Sequence, residues 1–130
     1  MNIISIGYYS EMPDSKTTDP SIKDFIGKED VALVDKICKY LTSGVTLAVS
    51  PGIATDIINP EKGSIGTLAT LTDGTWMWPG DLAYYVQNYK LKLPEEFVQT
   101  MERNNWIIPV KEEDLDIDSL TIDGVSPFDS

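Results

Sequence analysis

There is no histidine in these 130 residues, and only one cysteine. The first absence excludes His-based catalytic triads, imidazole metal ligands and histidine pH switches. The second excludes an intramolecular disulfide, so nothing points to an oxidising compartment. Basic residues are scarce as well: 10 against 21 acids, a net charge of −11. Nucleic-acid binding rests on neutralising phosphates with Lys and Arg, so no nucleic acid is expected as a partner. No apolar run approaches the roughly 20 residues that a membrane span needs. The stretch Met1-Asn2-Ile3-Ile4-Ser5-Ile6 lacks the basic start and long apolar run of a secretion signal. No membrane partner is expected, and the expected location is cytoplasmic. Gly63, Gly66 and Gly74 match neither a phosphate loop nor a dinucleotide fingerprint, and no cofactor is expected.

The chain has material for a core: 42% of it is hydrophobic, with three Trp, six Tyr and three Phe. It reads as a single domain over residues 1–130. Its acidity is uneven. Residues 111–130 carry seven acids and one base, a net −6 out of −11. An acidic tail would be disordered if it were polar throughout, but Leu115, Ile117, Leu120, Ile122, Val125 and Phe128 argue for a docked segment. Within it, Asp114-Leu115-Asp116-Ile117-Asp118 alternates acid and apolar residues. As a strand it would set carboxylates on one face and apolar groups on the other.

Met1 to Tyr8 is β-branched and aromatic and precedes a polar stretch, so a strand followed by a loop is expected. Asp30 is placed to cap a helix with Val31, Val34, Ile37, Cys38 and Leu41 on one stripe, stopped at Gly44. Val45–Val49 and Ile53–Ile58 read as two strands separated by the turn signal Ser50-Pro51-Gly52. Asp73-Gly74 between Ser64–Thr72 and Thr75–Trp78 predicts a hairpin with a type I′ turn. Asp81 heads a helix with Leu82, Tyr85, Val86 and Tyr89 on one face. Pro94 opens a third, with Glu95 and Glu96 beside its positive end and Phe97, Val98 and Met101 buried. Trp106–Pro109 looks extended. The order points to an α+β fold: an antiparallel or mixed sheet with about three helices packed mainly on one side.

Each chemical candidate has a plainer reading. Counted from Asp114 as a calcium loop, the sixth position is Ser119 instead of Gly and the twelfth is Val125 instead of Glu, so no metal is expected and the acids read as a solvated face. Ser50 has neither a histidine to activate it nor a nucleophile-elbow frame. Cys38 on an apolar stripe reads as an inert buried thiol. No catalytic residue is expected. Binding is better provided for. Trp76 and Trp78 share a strand face, opposite Met77, and either both pack as core or one indole, with Tyr84, lines a surface groove, since Trp and Tyr are favoured interface anchors. The candidate partner-binding set is Glu112, Glu113, Asp114, Asp116, Asp118, Trp76, Trp78 and Tyr84.

The stretch Thr72-Asp73-Gly74-Thr75-Trp76-Met77-Trp78-Pro79-Gly80-Asp81-Leu82-Ala83-Tyr84-Tyr85-Val86, continuing into Leu93-Pro94-Glu95-Glu96-Phe97, resembles a block of small acidic bacterial proteins. Some of those resemble immunity proteins of polymorphic-toxin and contact-dependent inhibition systems. The resemblance implies an immunity function and supplies no catalytic residues. Together with the charge it leads to one expectation: an acidic binding protein that neutralises a cognate basic toxin domain, a nuclease for preference, by covering its active site. The chain would act as a monomer or weak homodimer. The alternatives are a carboxylate-dependent hydrolase and a structural or assembly subunit.

Overall fold

A computed structural model describes residues 2–12, 19–116 and 119–124 of the chain. Five strands form a mixed sheet: β1 (Asn2–Ser5), β2 (Val45–Thr55), β3 (Ser64–Thr72), β4 (Trp76–Pro79) and β5 (Thr121–Ile122), in the order β2-β3-β4-β1-β5. The pairs β2–β3 and β3–β4 are antiparallel, while β1 runs parallel to both β4 and β5. Three helices, α1 (Val31–Thr42), α2 (Leu82–Tyr89) and α3 (Glu95–Arg103), complete an α+β fold. The helices lie mainly on the sheet face that carries Trp76 and Trp78.

The helices form where spacing and caps favour them. The Asp30 carboxylate accepts the Ala32 N–H at 2.9 Å and starts α1, which buries Val34, Ile37, Tyr40 and Leu41. At the other end Ser43, one residue before Gly44, closes the helix. Gly44 is nonetheless required, because a Cβ there would come within 2.6 Å of the Trp78 ring. In α2 the buried set is Leu82, Ala83, Tyr85 and Val86, and Lys90 ends the helix in the left-handed region at φ 51°. Pro94 precedes α3, whose Phe97, Thr100 and Met101 turn inward.

Trp78 is the centre of the core, at 0% exposure. Its ring lies 6.1 Å from that of Tyr40 and 5.3 Å from that of Phe97, and its Nε1–H donates to the Leu41 carbonyl at 3.2 Å. One indole thus joins β4, α1 and α3. Emptying such a site costs about 3–5 kcal/mol. A second junction is polar. Asp73, 1% exposed, accepts the Thr75 and Trp76 N–H groups at 2.9 and 2.7 Å and the Tyr40 hydroxyl at 2.6 Å. The Tyr40 oxygen accepts in turn from the Asn104 amide at 3.0 Å, just beyond α3.

Four sequence expectations need correction. The hairpin at Asp73-Gly74 is present, but only Gly74 has positive φ, at 94°. A type I′ turn needs positive φ at both central residues; here the Asp73 carboxylate ties down the turn instead. The two strands expected around Pro51 are one, with the register jumping from Ser50↔Leu68 to Ile53↔Thr67. An edge strand tolerates a proline and a bulge because its outer groups need no ladder partner. Trp106–Pro109 is not a strand, because Asn105 and Trp106 both adopt positive φ, 55° and 61°, and turn the chain away. Of the acid-apolar alternation 114–118, Asp114 ends a 3₁₀ turn (Glu112–Asp114), and Leu115 and Asp116 lie in no strand. There the Asp114 carboxylate accepts the Lys111 N–H at 2.8 Å. Ile117, Asp118, Val125 and Phe128 lie outside the described residues. Leu120 is buried, and β5 pairs with β1 through Asn2↔Thr121 and Ile3↔Ile122.

Tyr40→Phe removes a hydroxyl that both donates to the buried Asp73 and accepts from Asn104. We expect a loss of about 1–3 kcal/mol in urea unfolding, the range for leaving a buried polar group short of a partner. A loss under about 0.3 kcal/mol would mean that this junction adds nothing beyond packing.

Candidate partner-binding site

The sequence candidates separate on folding. Trp78 is entirely internal and has no surface to offer a partner. Trp76, two residues earlier on the same face, is only half-buried. Its Nε1–H donates to the Thr100 hydroxyl at 2.9 Å, and its ring stands 5.9 Å from Phe97. Around the free part of the indole, α3 supplies Glu96, Gln99, Glu102 and Arg103, forming an open recess of about 490 Å³. Glu96, Gln99 and Arg103 follow the i, i+3, i+7 spacing of one helix face. Reading α3 for its polar stripe would have found them; its apolar stripe and helix-end charges drew attention instead.

The acidic segment is anchored near this end of β4. A Cβ on Gly74, in the turn just before Trp76, would lie 2.9 Å from Val110, so Val110 packs against that turn. Glu112, Glu113 and Asp114 follow at once, and they and Asp116 are exposed. Asp118 lies outside the described residues. The structure therefore brings Trp76 to the sheet end where the acidic segment begins, and Glu96 and Glu102 join the indole from α3. It leaves Tyr84 elsewhere.

Tyr84 belongs to a different cluster, built on Asp56 just after β2. Asp56 is 0% exposed. Its carboxylate accepts the Ile58 and Asn59 N–H groups, both at 2.8 Å, the Tyr84 hydroxyl at 2.7 Å and the Tyr89 hydroxyl. Tyr85 completes the set, donating its hydroxyl to the Thr55 carbonyl at 3.1 Å and accepting the Ile57 N–H at 3.0 Å. The Lys62 ammonium sits 5.1 Å from the centre of the Tyr89 ring. Burial pushes the Asp56 carboxyl upward, but the Tyr89, Asn59, Tyr84 and Ile58 donors outweigh it and hold it at about 2. The Tyr89 and Tyr84 hydroxyls are raised, chiefly because they donate to that carboxylate. Burial raises Tyr85 to about 12. The cluster clamps the β2–β3 connection to α2, and the Tyr84 hydroxyl is spent on it.

The other buried acid is Glu29. Its Oε2 meets the Lys92 ammonium at 3.5 Å, and its Oε1 has no hydrogen-bond partner. Cys38 is half-buried, with its thiol directed at the Ala83 carbonyl at 3.5 Å; burial and then Asp35 raise its pKa. Among the described residues no group of three His, Cys, Asp or Glu side chains is arranged to hold a metal ion. No helix there is long and apolar enough to cross a membrane. No protein-family model, curated protein or solved structure matches this chain.

The Asp56 cluster fixes a pH dependence. A carboxyl depressed to about 2 from its ordinary 3.8 gives stability that is complete above about pH 4 and is lost as the pH falls towards 2. The raised tyrosines act in the opposite sense: their contribution is complete below pH 10 and fades above it. Asp56→Asn should therefore be less stable than the parent at pH 7, with the gap closing towards pH 2 in urea melts. A gap that stays constant from pH 7 to 2 would contradict this assignment.

Proposed function

We propose that this chain is an acidic binding protein that neutralises a cognate basic toxin domain, as an immunity protein does. The observation that carries the reading is the acid-rimmed recess around Trp76, where a half-exposed indole is set among Glu96 and Glu102. The exposed carboxylates of Glu112, Glu113, Asp114 and Asp116 extend the same charge. An aromatic anchor beside two carboxylates and one guanidinium, Arg103, offers apolar area buried at little rotamer cost, and the carboxylates outnumber the base in steering a partner of opposite sign.

The acids buried among the described residues, Asp56, Asp73 and Glu29, support binding over hydrolysis. Asp56 and Asp73 have their oxygens filled by internal donors, and Glu29 faces Lys92. None stands in a solvent-reached pair as acid–base chemistry would need. With a net charge of −11, the surface draws a basic enzyme and lays carboxylates where that enzyme would hold phosphates. A nuclease fits this chemistry best. Such a protein works in the cytoplasm as a monomer or weak homodimer, beside the toxin it restrains.

Binding kinetics against a basic nuclease toxin domain, were one encoded beside this chain, test the reading. Association should be fast at low ionic strength and slow as salt approaches physiological levels, where the screening length is about 8 Å. Replacing Glu96, Glu102, Glu112 and Glu113 together by Gln should lower the association rate about tenfold at low salt and leave dissociation nearly unchanged. Trp76→Ala should instead speed dissociation by about 30-fold, as loss of an anchor worth about 2 kcal/mol does. Salt-independent association, with the Gln variant equal to the parent, would reject the reading.

A further inference from the structure

On the opposite side of β4 from Trp76 lies a larger cavity of about 810 Å³, within the range of small-molecule pockets. Its floor is sheet: Thr70 on β3, Met77 on β4, Ser5 ending β1 and Ile122 ending β5 all line it. The strand registers put Thr70, Met77 and Ser5 on one face, the one opposite the two tryptophans. β1 runs parallel to its neighbours β4 and β5, and ligands settle where adjacent parallel strands end and their chains part. The 92–95 connection between α2 and α3 forms another wall.

The charged groups on its wall are engaged within the chain. The Lys92 ammonium meets the buried Glu29 at 3.5 Å. Asp123 accepts the Ser5 N–H at 2.8 Å and the Ser5 hydroxyl, and Asp19 has an interaction of its own. Glu95 lies in the first turn of α3, beside the positive helix end, with the Gln99 amide at 3.5 Å. The rest of the lining is mostly apolar: Ile6, Leu93, Met77 and Ile122, with the Tyr9 and Phe25 rings 6.0 Å apart and tilted by 52° into a corner. An ionic guest would give up its hydration for groups already engaged, so the lining favours an uncharged one.

One polar group is left over. Tyr9 lines the cavity and is only 3% exposed, yet its hydroxyl has no hydrogen-bond partner among the described residues. Burial alone raises its pKa, so the hydroxyl stays protonated and is a donor. Buried tyrosine hydroxyls ordinarily find a partner, and here the cavity is where an acceptor can enter. We propose that this cavity binds an uncharged small molecule: an apolar, ring-bearing body with a carbonyl-type oxygen that accepts from the Tyr9 hydroxyl. The site and the Trp76 recess occupy opposite faces of β4, so the two can fail independently.

Calorimetry and methyl NMR of Met77 test it with four probes of one shape: benzylacetone, isopentylbenzene, hydrocinnamate and the protonated amine that matches the ketone. Benzylacetone should shift the Met77 methyl signal and bind at least about tenfold more tightly than either ion. Tyr9→Phe keeps the ring and removes a hydroxyl with no internal partner, so the unfolding midpoint should stay that of the parent. The variant should bind benzylacetone about fivefold more weakly, as loss of one hydrogen bond does, and isopentylbenzene as before. An ion that binds as tightly as benzylacetone would overturn the proposal, as would a Met77 signal unmoved at millimolar benzylacetone. So would a Tyr9→Phe variant that binds benzylacetone as well as the parent does.

Discussion

The architecture depends on one buried carboxylate. Asp73 sits where β3 turns into β4, and a buried polar side chain there is tolerable because donors from separate parts of the chain converge on it. Two come from its own turn, and the third is the Tyr40 hydroxyl on α1, which the Asn104 amide steadies from the end of α3. Sheet, first helix and third helix are thereby set in one arrangement. Trp78, two residues past the turn, fills the apolar space that this arrangement leaves, against Tyr40 and Phe97. Polar junction and aromatic core share Tyr40, which couples them. Coupling of this kind gives a unique packing where a purely apolar contact would permit several.

Asp56 meets the same constraint in another place, with two hydroxyls and two backbone N–H groups. A chain with 21 acids exposes many of them, and those it buries need donors or a counter-charge, as Glu29 has in Lys92. Asp56 and Asp73 are surrounded, and the acids of α3 and of residues 112–116 are exposed. The exposed charge leaves out one region: β2 and β3, residues 45–55 and 64–72, contain no charged residue. Val49 and Ile53 are exposed there. This edge is guarded against pairing with another chain by Pro51 and the bulge beside it, not by charge.

What the sequence disclosed was local. The Asp30 cap and the 3.6-residue stripes placed all three helices, and Asp73-Gly74 placed the hairpin. The turn type was hidden because it depends on what the Asp73 side chain does, and propensity assumes that it does nothing. Pro51-Gly52 read as a turn because a two-residue breaker looks the same in a bulge on an edge strand. The pairing of β1 with β5 joins residues about 119 apart, as in the Thr121–Asn2 side-chain bond, and no local pattern signals it. Trp76 and Trp78 were placed on one face, but their unequal burial follows from the helices that cover them. Tyr84 is half-buried, and its hydroxyl serves Asp56, whose Asx turn onto Ile58 and Asn59 is a local pattern. The cavity of about 810 Å³ beside Met77 is assembled from seven separate stretches of chain, and composition alone has no bearing on it.

A footprint of the complex bears on the binding account most directly. Carboxylates are labelled with a water-soluble carbodiimide, and indoles oxidised by brief hydroxyl-radical exposure, with and without the toxin, and modified sites are read by mass spectrometry. The account predicts protection at Trp76, Glu96, Glu102 and the 112–116 segment, while Asp19 and Glu95 at the opposite cavity keep their reactivity. Protection confined to the uncharged 45–55 edge, with Trp76 and the α3 acids as reactive as in the free protein, would contradict it.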